Sequence, residues 1–232
     1  MTQTILVFLL SLVALAQIPA FEAASVKPAA PGSRGGRTAS SGDRVIYANT
    51  TLSNVLIRAY GLKAFRVDGP SWIFSDRYDI QAKAPDNTPK DQIPLMLQAL
   101  LTERFQLKLH RESREMSVYF LITGKGTAKY QKSEGESGYD MDNGRRVLKN
   151  HTMAQLADTL TFTVQRPVLD RTGLSGTYTI PLEMSQEELG KSDGSAPSIF
   201  TIVEGLGLKL ESRKAPLEIL VVDSGNKIPA EN

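Results

Sequence analysis

"FQLKLHRESREMSVYFLI", Phe105–Ile122, is the stretch on which the fold turns, because "LGLKLESRKAPLEILVVD", Leu206–Asp223, repeats its pattern; Leu107 and Leu208 stand 101 residues apart (208 − 107). Leu107 and Leu109 alternate with polar residues before a charged stretch, and Met116, Val118 and Phe120 alternate after it. A period of two marks a strand with one buried face. The charged stretch between the two runs reads as a turn, so each segment is expected to be a hairpin of two strands.

Outward from these segments the same order of elements occurs twice. "NTTLSNVLIRAY" from Asn49 aligns with "NHTMAQLADTLT" from Asn150, again 101 residues apart (150 − 49), and "DRYDI" (Asp76–Ile80) aligns with "GTYTI" (Gly176–Ile180) at an offset of 100 (178 − 78). Thr51 and Thr152 are placed to cap helices, and Gln155 completes a capping box with Thr152. Leu52, Val55, Leu56 and Ala59 recur at helical spacing, as do Met153, Leu156, Ala157 and Leu160. Strands are expected at Phe65–Val67 and Thr163–Val164, then at Tyr78 and Tyr178. Second helices are expected from the Thr88 cap with Pro89 and from the Ser195 cap with Pro197. Each half is thus helix, strand, strand, helix, strand, strand: an α+β fold of two tandem repeats, with helices packed on an antiparallel or mixed sheet. Neither half needs the other for its pattern.

The boundaries follow. Residues 1–20 read as an export signal, with an apolar run from Ile5 to Ala16 and small residues around Ala14-Leu15-Ala16 for cleavage after residue 16. That run is shorter than the ~20 residues that span a bilayer, so an uncleaved membrane anchor is the alternative. Residues 21–48 hold short strands at Glu22–Lys27 and Arg44–Ala48 around "PAAPGSRGGRTASSG" (Pro28–Gly42), a composition read as a flexible loop. Repeat 1 is 49–123 and repeat 2 is 150–225. Between them, 124–149 forms a linker hairpin around Asp142-Asn143-Gly144, and 226–232 is a tail.

Composition narrows the function. Of 232 residues, 27 are basic and 25 acidic, which gives no basic stripe for nucleic acid. There is no cysteine, so disulfides, thiolate metal sites and cysteine nucleophiles are excluded together. The two histidines, His110 and His151, have nothing at metal-ligand spacing beside them and read as surface or turn residues. Ser175 in "GLSGTY" feeds a strand, whereas a nucleophile elbow joins strand to helix. Asp76 and Asp79 point to opposite faces of a strand, and Glu187 and Glu188 fall in a polar loop, so no carboxylate pair suits glycoside hydrolysis. Asn49 and Asn150 match the glycosylation acceptor pattern, which duplicated helix starts explain equally well.

Binding residues are expected at the bends of the repeats: Trp72 with Asp76 and Arg77, and Asp170 with Arg171. "DRTG", Asp170–Gly173, makes a tight connection by its own side-chain chemistry, and Asp170 with Arg171 could also hold a charged ligand group.

"FEAASVKP", "YDIQAKAP", "LLTERFQLKLHRESREMSVYFL", "RPVLDRTGLSGTY" and "LGLKLESRKAPLEILVVD" with the terminal "PAEN" together resemble the soil-associated exported protein family, a domain of unknown function expanded in acidobacteria. The resemblance runs from about Phe21 to Asn232, with Ala23 where valine is usual. It brings no catalytic residues. Some members look like fusions to sensor-type membrane metallopeptidases of β-lactam responses, which implies an extracytoplasmic sensing or binding role. The chain itself has no His-Glu-x-x-His.

The expectation is a periplasmic or secreted, non-catalytic module without cofactor or metal. Its partner would be an envelope protein, a peptide or a small molecule, with no nucleic acid and no membrane span in the mature chain. A hydrolase with a site between the repeats and a structural module of an envelope assembly are the alternatives.

Overall fold

A computed structural model of the chain describes residues 19–33, 35–41, 43–142, 145–185 and 198–231. In chain order its elements are β1 (Ala23–Pro28), β2 (Arg37–Ser41), β3 (Arg44–Thr51), α1 (Leu52–Ala59), β4 (Val67–Asp68), α2 (Trp72–Ser75), β5 (Arg77–Lys83), α3 (Ile93–Phe105) and β6 (Lys108–Thr123), followed by β7 (Gln131–Lys132), β8 (Gly138–Asp142), β9 (Arg145–His151), α4 (Met153–Val164), β10 (Val168–Asp170), β11 (Tyr178–Ser185), α5 (Ile199–Gly205) and β12 (Leu208–Ser224). This is a mixed α+β fold, with three four-stranded sheets among the described residues. No helix among them is long and apolar enough to cross a membrane. The export signal, Glu187, Glu188 and Ser195 lie outside the described residues.

The two segments read as hairpins are each a single strand. β6 and β12 pair with one another, antiparallel, from Leu208 opposite Thr123 to Ser224 opposite Lys108. Their charged centres do not turn, because each finds its counter-charge on the ribbon itself. Arg111 meets Glu218, Lys214 lies 3.8 Å from Glu115, and Arg114 bonds Glu112. No residue from Lys108 to Thr123 or from Leu208 to Ser224 takes the positive φ that a tight turn of this kind uses. One face of the ribbon buries Val118, Ala215, Leu217 and Ile219, against which Met116, Phe120, Leu169 and Val221 pack.

Two short parallel strands flank the ribbon. β4 pairs with β12, Val67 opposite Leu220, and β10 pairs with β6, Val168 opposite Tyr119. The expected strand at Thr163–Val164 is instead the last turn of α4. Thr161 Oγ1 donates to the Ala157 carbonyl and accepts from the Val168 amide, so the helix runs on and the strand starts later. These pairings also correct the expectation that each half is complete in itself. Among the described residues, β4 of the first half has its strand partner only in the second, and β10 of the second only in the first.

The chain forms two compact units. Unit 1 comprises the described residues through Tyr60, Phe74–Leu107 and Gly225 onward; unit 2 comprises Gly61–Ile73 and Lys108–Ser224. In unit 1 the sheet runs β1-β5-β3-β2. Leu52, Val55, Leu56 and Ala59 of α1 and Met96, Leu97, Leu101 and Phe105 of α3 are buried. Tyr78 is buried edge-on to Phe105 at 4.9 Å and donates its hydroxyl to the Lys227 carbonyl; burial pushes that phenol up to about 12. β2 replaces part of the expected flexible loop. An edge strand is held by backbone hydrogen bonds and needs no buried side chains, so the Gly/Ser-rich composition gave no sign of it.

In unit 2 a second sheet runs β7-β11-β9-β8. Leu148, Ile180 and Leu182 from the sheet meet Met153, Leu156 and Leu160 of α4, Val203 of α5, and Leu121, Leu208 and Leu210 of the ribbon. β8 pairs with β9, antiparallel, with Asp142 opposite Arg145, and Asn143 and Gly144 of the expected turn lie outside the described residues.

Helix ends show what capping chemistry predicts and what it misses. Thr51 and Thr152 cap α1 and α4, and the reciprocal Thr152–Gln155 box is present. The Thr88 cap is absent. Its hydroxyl donates to Pro85 O in a turn, and α3 begins at Ile93 with Pro94 in its first turn. α5 is capped by Ser198, whose hydroxyl accepts from the Thr201 amide.

One irregularity occurs twice. The β3–β5 register shifts between Tyr47 and Thr50, and the β9–β11 register shifts between Tyr178 and Ile180, a β-bulge in each ladder. Asn49 (φ 49) and Asn150 (φ 54) sit left-handed at these bulges. The Asn49 amide donates to Ser33 O and Gly35 O, and the Asn150 amide to Glu136 O. Their Asn-x-Thr pattern is therefore accounted for by bulge geometry followed by a helix cap.

Candidate functional site

β10 ends at Asp170, and the turn after it supports itself. Asp170 Oδ1 accepts from both the amide and the hydroxyl of Thr172, at 2.9 and 2.8 Å, and Thr172 Oγ1 accepts from the Leu174 amide. Gly173 supplies the left-handed residue at φ 70. The Arg171 amide is fixed on Leu121 O at 2.8 Å, and its guanidinium lies 5.4 Å from the Phe120 ring centroid.

Asp170 and Arg171 line a groove of about 270 Å³ within unit 2. Its lining also includes Ala154 and Ala157 from α4, Val168 and Leu169 from β10, and Pro216 and Leu217 from the middle of β12, of which Ala157, Val168 and Leu217 are buried. Lys63 and Arg66, from the segment leading into β4, complete the lining. The Lys63 ammonium is neutralised by Asp158, 2.7 and 3.0 Å from its two oxygens. Arg66 is held by its own carbonyl, which accepts from the Leu220 amide. Among the described residues neither Arg66 nor Arg171 has a carboxylate within ion-pairing distance. Two arginines without a carboxylate partner among the described residues are the chemistry an anionic group would need there.

The other expected binding residues, Trp72, Asp76 and Arg77, lie outside this groove. Asp76 pairs with Lys227 at 2.8 Å and accepts from the Ser75 hydroxyl; the Lys227 hydrogen bond holds its carboxyl below the usual range. Arg77 donates to Asn49 O at the β3 bulge. Trp72 is half-buried in the first turn of α2. Asp76 and Arg77 belong to unit 1, whereas Trp72, Asp170 and Arg171 belong to unit 2. A second groove, about 350 Å³ in unit 1, runs between Ala20–Ala24 and α3, but its cation Arg104 already donates to Glu231 O.

The family model for a protein of unknown function, DUF3738, matches residues 53–224, which spans both β4 and β12 and every residue of the unit 2 groove. The chain belongs to the DUF3738 family. No curated protein and no solved structure matches it. Within this DUF3738 chain the groove joins residues more than 100 positions apart, Lys63 and Arg66 against Arg171 (171 − 66 = 105), and no local motif marks the first two. Their signal lies only in the parallel pairing that sets β4 on the ribbon.

The histidines depart from expectation in one case. His151 is buried at 6% exposure in β9, with Nδ1 donating to Lys149 O, so it is not a surface residue. His110 is exposed on β6, its Nδ1 2.9 Å from both Asp223 oxygens and its Nε2 3.7 Å from Glu112, while Glu112 bonds Arg114, which reaches Asp68. The Asp223 hydrogen bond raises the His110 pKa. A raised value stabilises the folded state below the ordinary imidazole pKa, and that contribution disappears as pH rises through the raised one. An NMR titration should place His110 above 6.5 in the native DUF3738 chain and near it in Asp223→Asn; a native value at or below 6.5 would show that the ion pair does not form.

Proposed function

We propose that the chain is a non-catalytic binding module exported to the bacterial envelope, and that its ligand carries an anionic group held in the unit 2 groove. The observation that carries this is the pair Arg66 and Arg171, lining one groove and lacking carboxylate partners among the described residues. The apolar segment at residues 5–16 supports export. Asp170 serves its own turn, which leaves the neighbouring guanidinium available. Thermal-shift titrations with inorganic phosphate, N-acetyl-leucine and short free-acid peptides test the site. At least one probe should raise the Tm of the native chain, by an amount that grows with concentration over Kd. The double variant Arg66→Ala/Arg171→Ala, at one half-buried and one exposed position, should keep its unliganded stability within about 1 kcal/mol and lose the response. An equal response in the double variant would remove the groove from the function.

The same reading takes the chain as a tandem duplication of a β-α-β-β-α-β unit. Elements β3, α1, β4, β5, α3 and β6 recur in order as β9, α4, β10, β11, α5 and β12. Support comes from details that packing alone does not require. The two bulges, their left-handed asparagines and the Thr caps recur at an offset of 101, as do the left-handed Gln106 and Gly207 after the second helices. Val67 opposite Leu220 and Val168 opposite Tyr119 are the same pair under that offset, with the halves exchanged.

A further inference from the structure

We infer that the outer edge of β8 is a pairing surface for a second copy of the same strand, and that the Asp140 carboxylate keeps it closed in the native chain. β8 ends the sheet β7-β11-β9-β8, so among the described residues no strand pairs on its far side. Toward β9 its register is continuous, from Gly138 opposite Lys149 to Asp142 opposite Arg145. The Met141 amide donates to Asp140 Oδ1 at 2.8 Å, the bond of a group that β9 leaves open. Backbone groups along an antiparallel strand alternate in direction, so Tyr139 and Met141 are the two residues that turn theirs outward. Both are exposed, Tyr139 at 64% and Met141 at 54%. An edge of this kind is a template for pairing with another chain.

The strand is self-complementary about Asp140, which is what makes a second copy the fitting partner. In an antiparallel pair of β8 strands centred there, Tyr139 of each copy stands opposite Met141 of the other, and both of these pairs are of the hydrogen-bonded kind. An aromatic ring beside a thioether is a favourable cross-strand contact. The same register sets Asp140 opposite Asp140 in the closer, non-hydrogen-bonded position, where like charges repel. Asp140 therefore opposes pairing twice over: it occupies the Met141 amide that the second copy needs, and it places a carboxylate on the two-fold axis. Lys149 of β9 holds that carboxylate in place at 2.6 Å.

Sedimentation velocity of the full chain over a range of concentrations tests this, with circular dichroism to show that each variant is folded. The native chain should stay monomeric. Asp140→Thr removes both the charge and the cap and supplies a residue suited to a strand, and its apparent mass should rise toward twice the native value as concentration increases. Asp140 is exposed, so this substitution leaves the fold intact. Asp140→Thr/Met141→Pro should return to the monomer, because proline offers the second copy no amide, and an outward position on an edge strand tolerates it. A threonine variant that stays monomeric wherever the native chain does overturns the inference. So does a native chain that associates as readily as the variant, or a double variant that associates as readily as Asp140→Thr alone.

Discussion

Val118→Pro is expected to lower the Tm by about 10 °C, the shift that about 3 kcal/mol or more produces in a chain of this size. β6 is an inner strand, between β10 and β12. The Tyr119 amide donates to Pro167 O on the β10 side, so the amide of the preceding residue points to β12, where Val118 faces Arg213. Proline removes that ladder hydrogen bond and leaves a carbonyl unpaired, and its ring replaces a fully buried valine. Val118→Thr, which keeps the amide and the shape, should lose clearly less. A proline variant that melts with the native chain would mean that the ribbon is not continuous at this point.

Gly207→Ala should cost about 2–4 kcal/mol, from left-handed strain together with overpacking. Gly207 joins α5 to β12 at φ 79, and an added Cβ would stand 2.8 Å from Thr127 O, 2.9 Å from its carbonyl carbon and 3.0 Å from Ala128 Cα. All three are backbone atoms with no rotamer to change. Gly173→Ala is the comparison, since Gly173 has φ 70 with nothing within 4 Å and should lose only the strain, about 1–2 kcal/mol. Urea denaturation of the two variants separates clash from conformation; equal losses would show that the Thr127 backbone gives way.

Local chemistry was legible where one residue type serves one local purpose. Thr51 and Thr152 cap helices, Tyr78 and Tyr178 occupy buried strand positions, and Asp170 bonds Thr172 as its sequence context implies. The ribbon was misread because a run such as Arg111–Glu115 carries the composition of a turn, and only the partner strand, more than 90 residues away, shows that Glu218 and Lys214 answer its charges (214 − 115 = 99). β2 and the start of α3 failed for a related reason: backbone pairing and an uncapped Gln92 leave no mark in side-chain pattern. The candidate site was half legible. Asp170 and Arg171 stood out in a motif, whereas Lys63 and Arg66 join them only through the placement of β4.

That placement also sets the order of assembly. Val67 pairs with Leu220, 153 residues later (220 − 67), so the ribbon sheet stays open at one edge until Leu220 has been synthesised. Closure at such a separation is slow, because the entropy of a long loop is lost before any contact compensates it. A nascent chain halted at the end of β6 would present that strand with no neighbour on either side, a template for pairing with other nascent chains until β10 and β12 arrive.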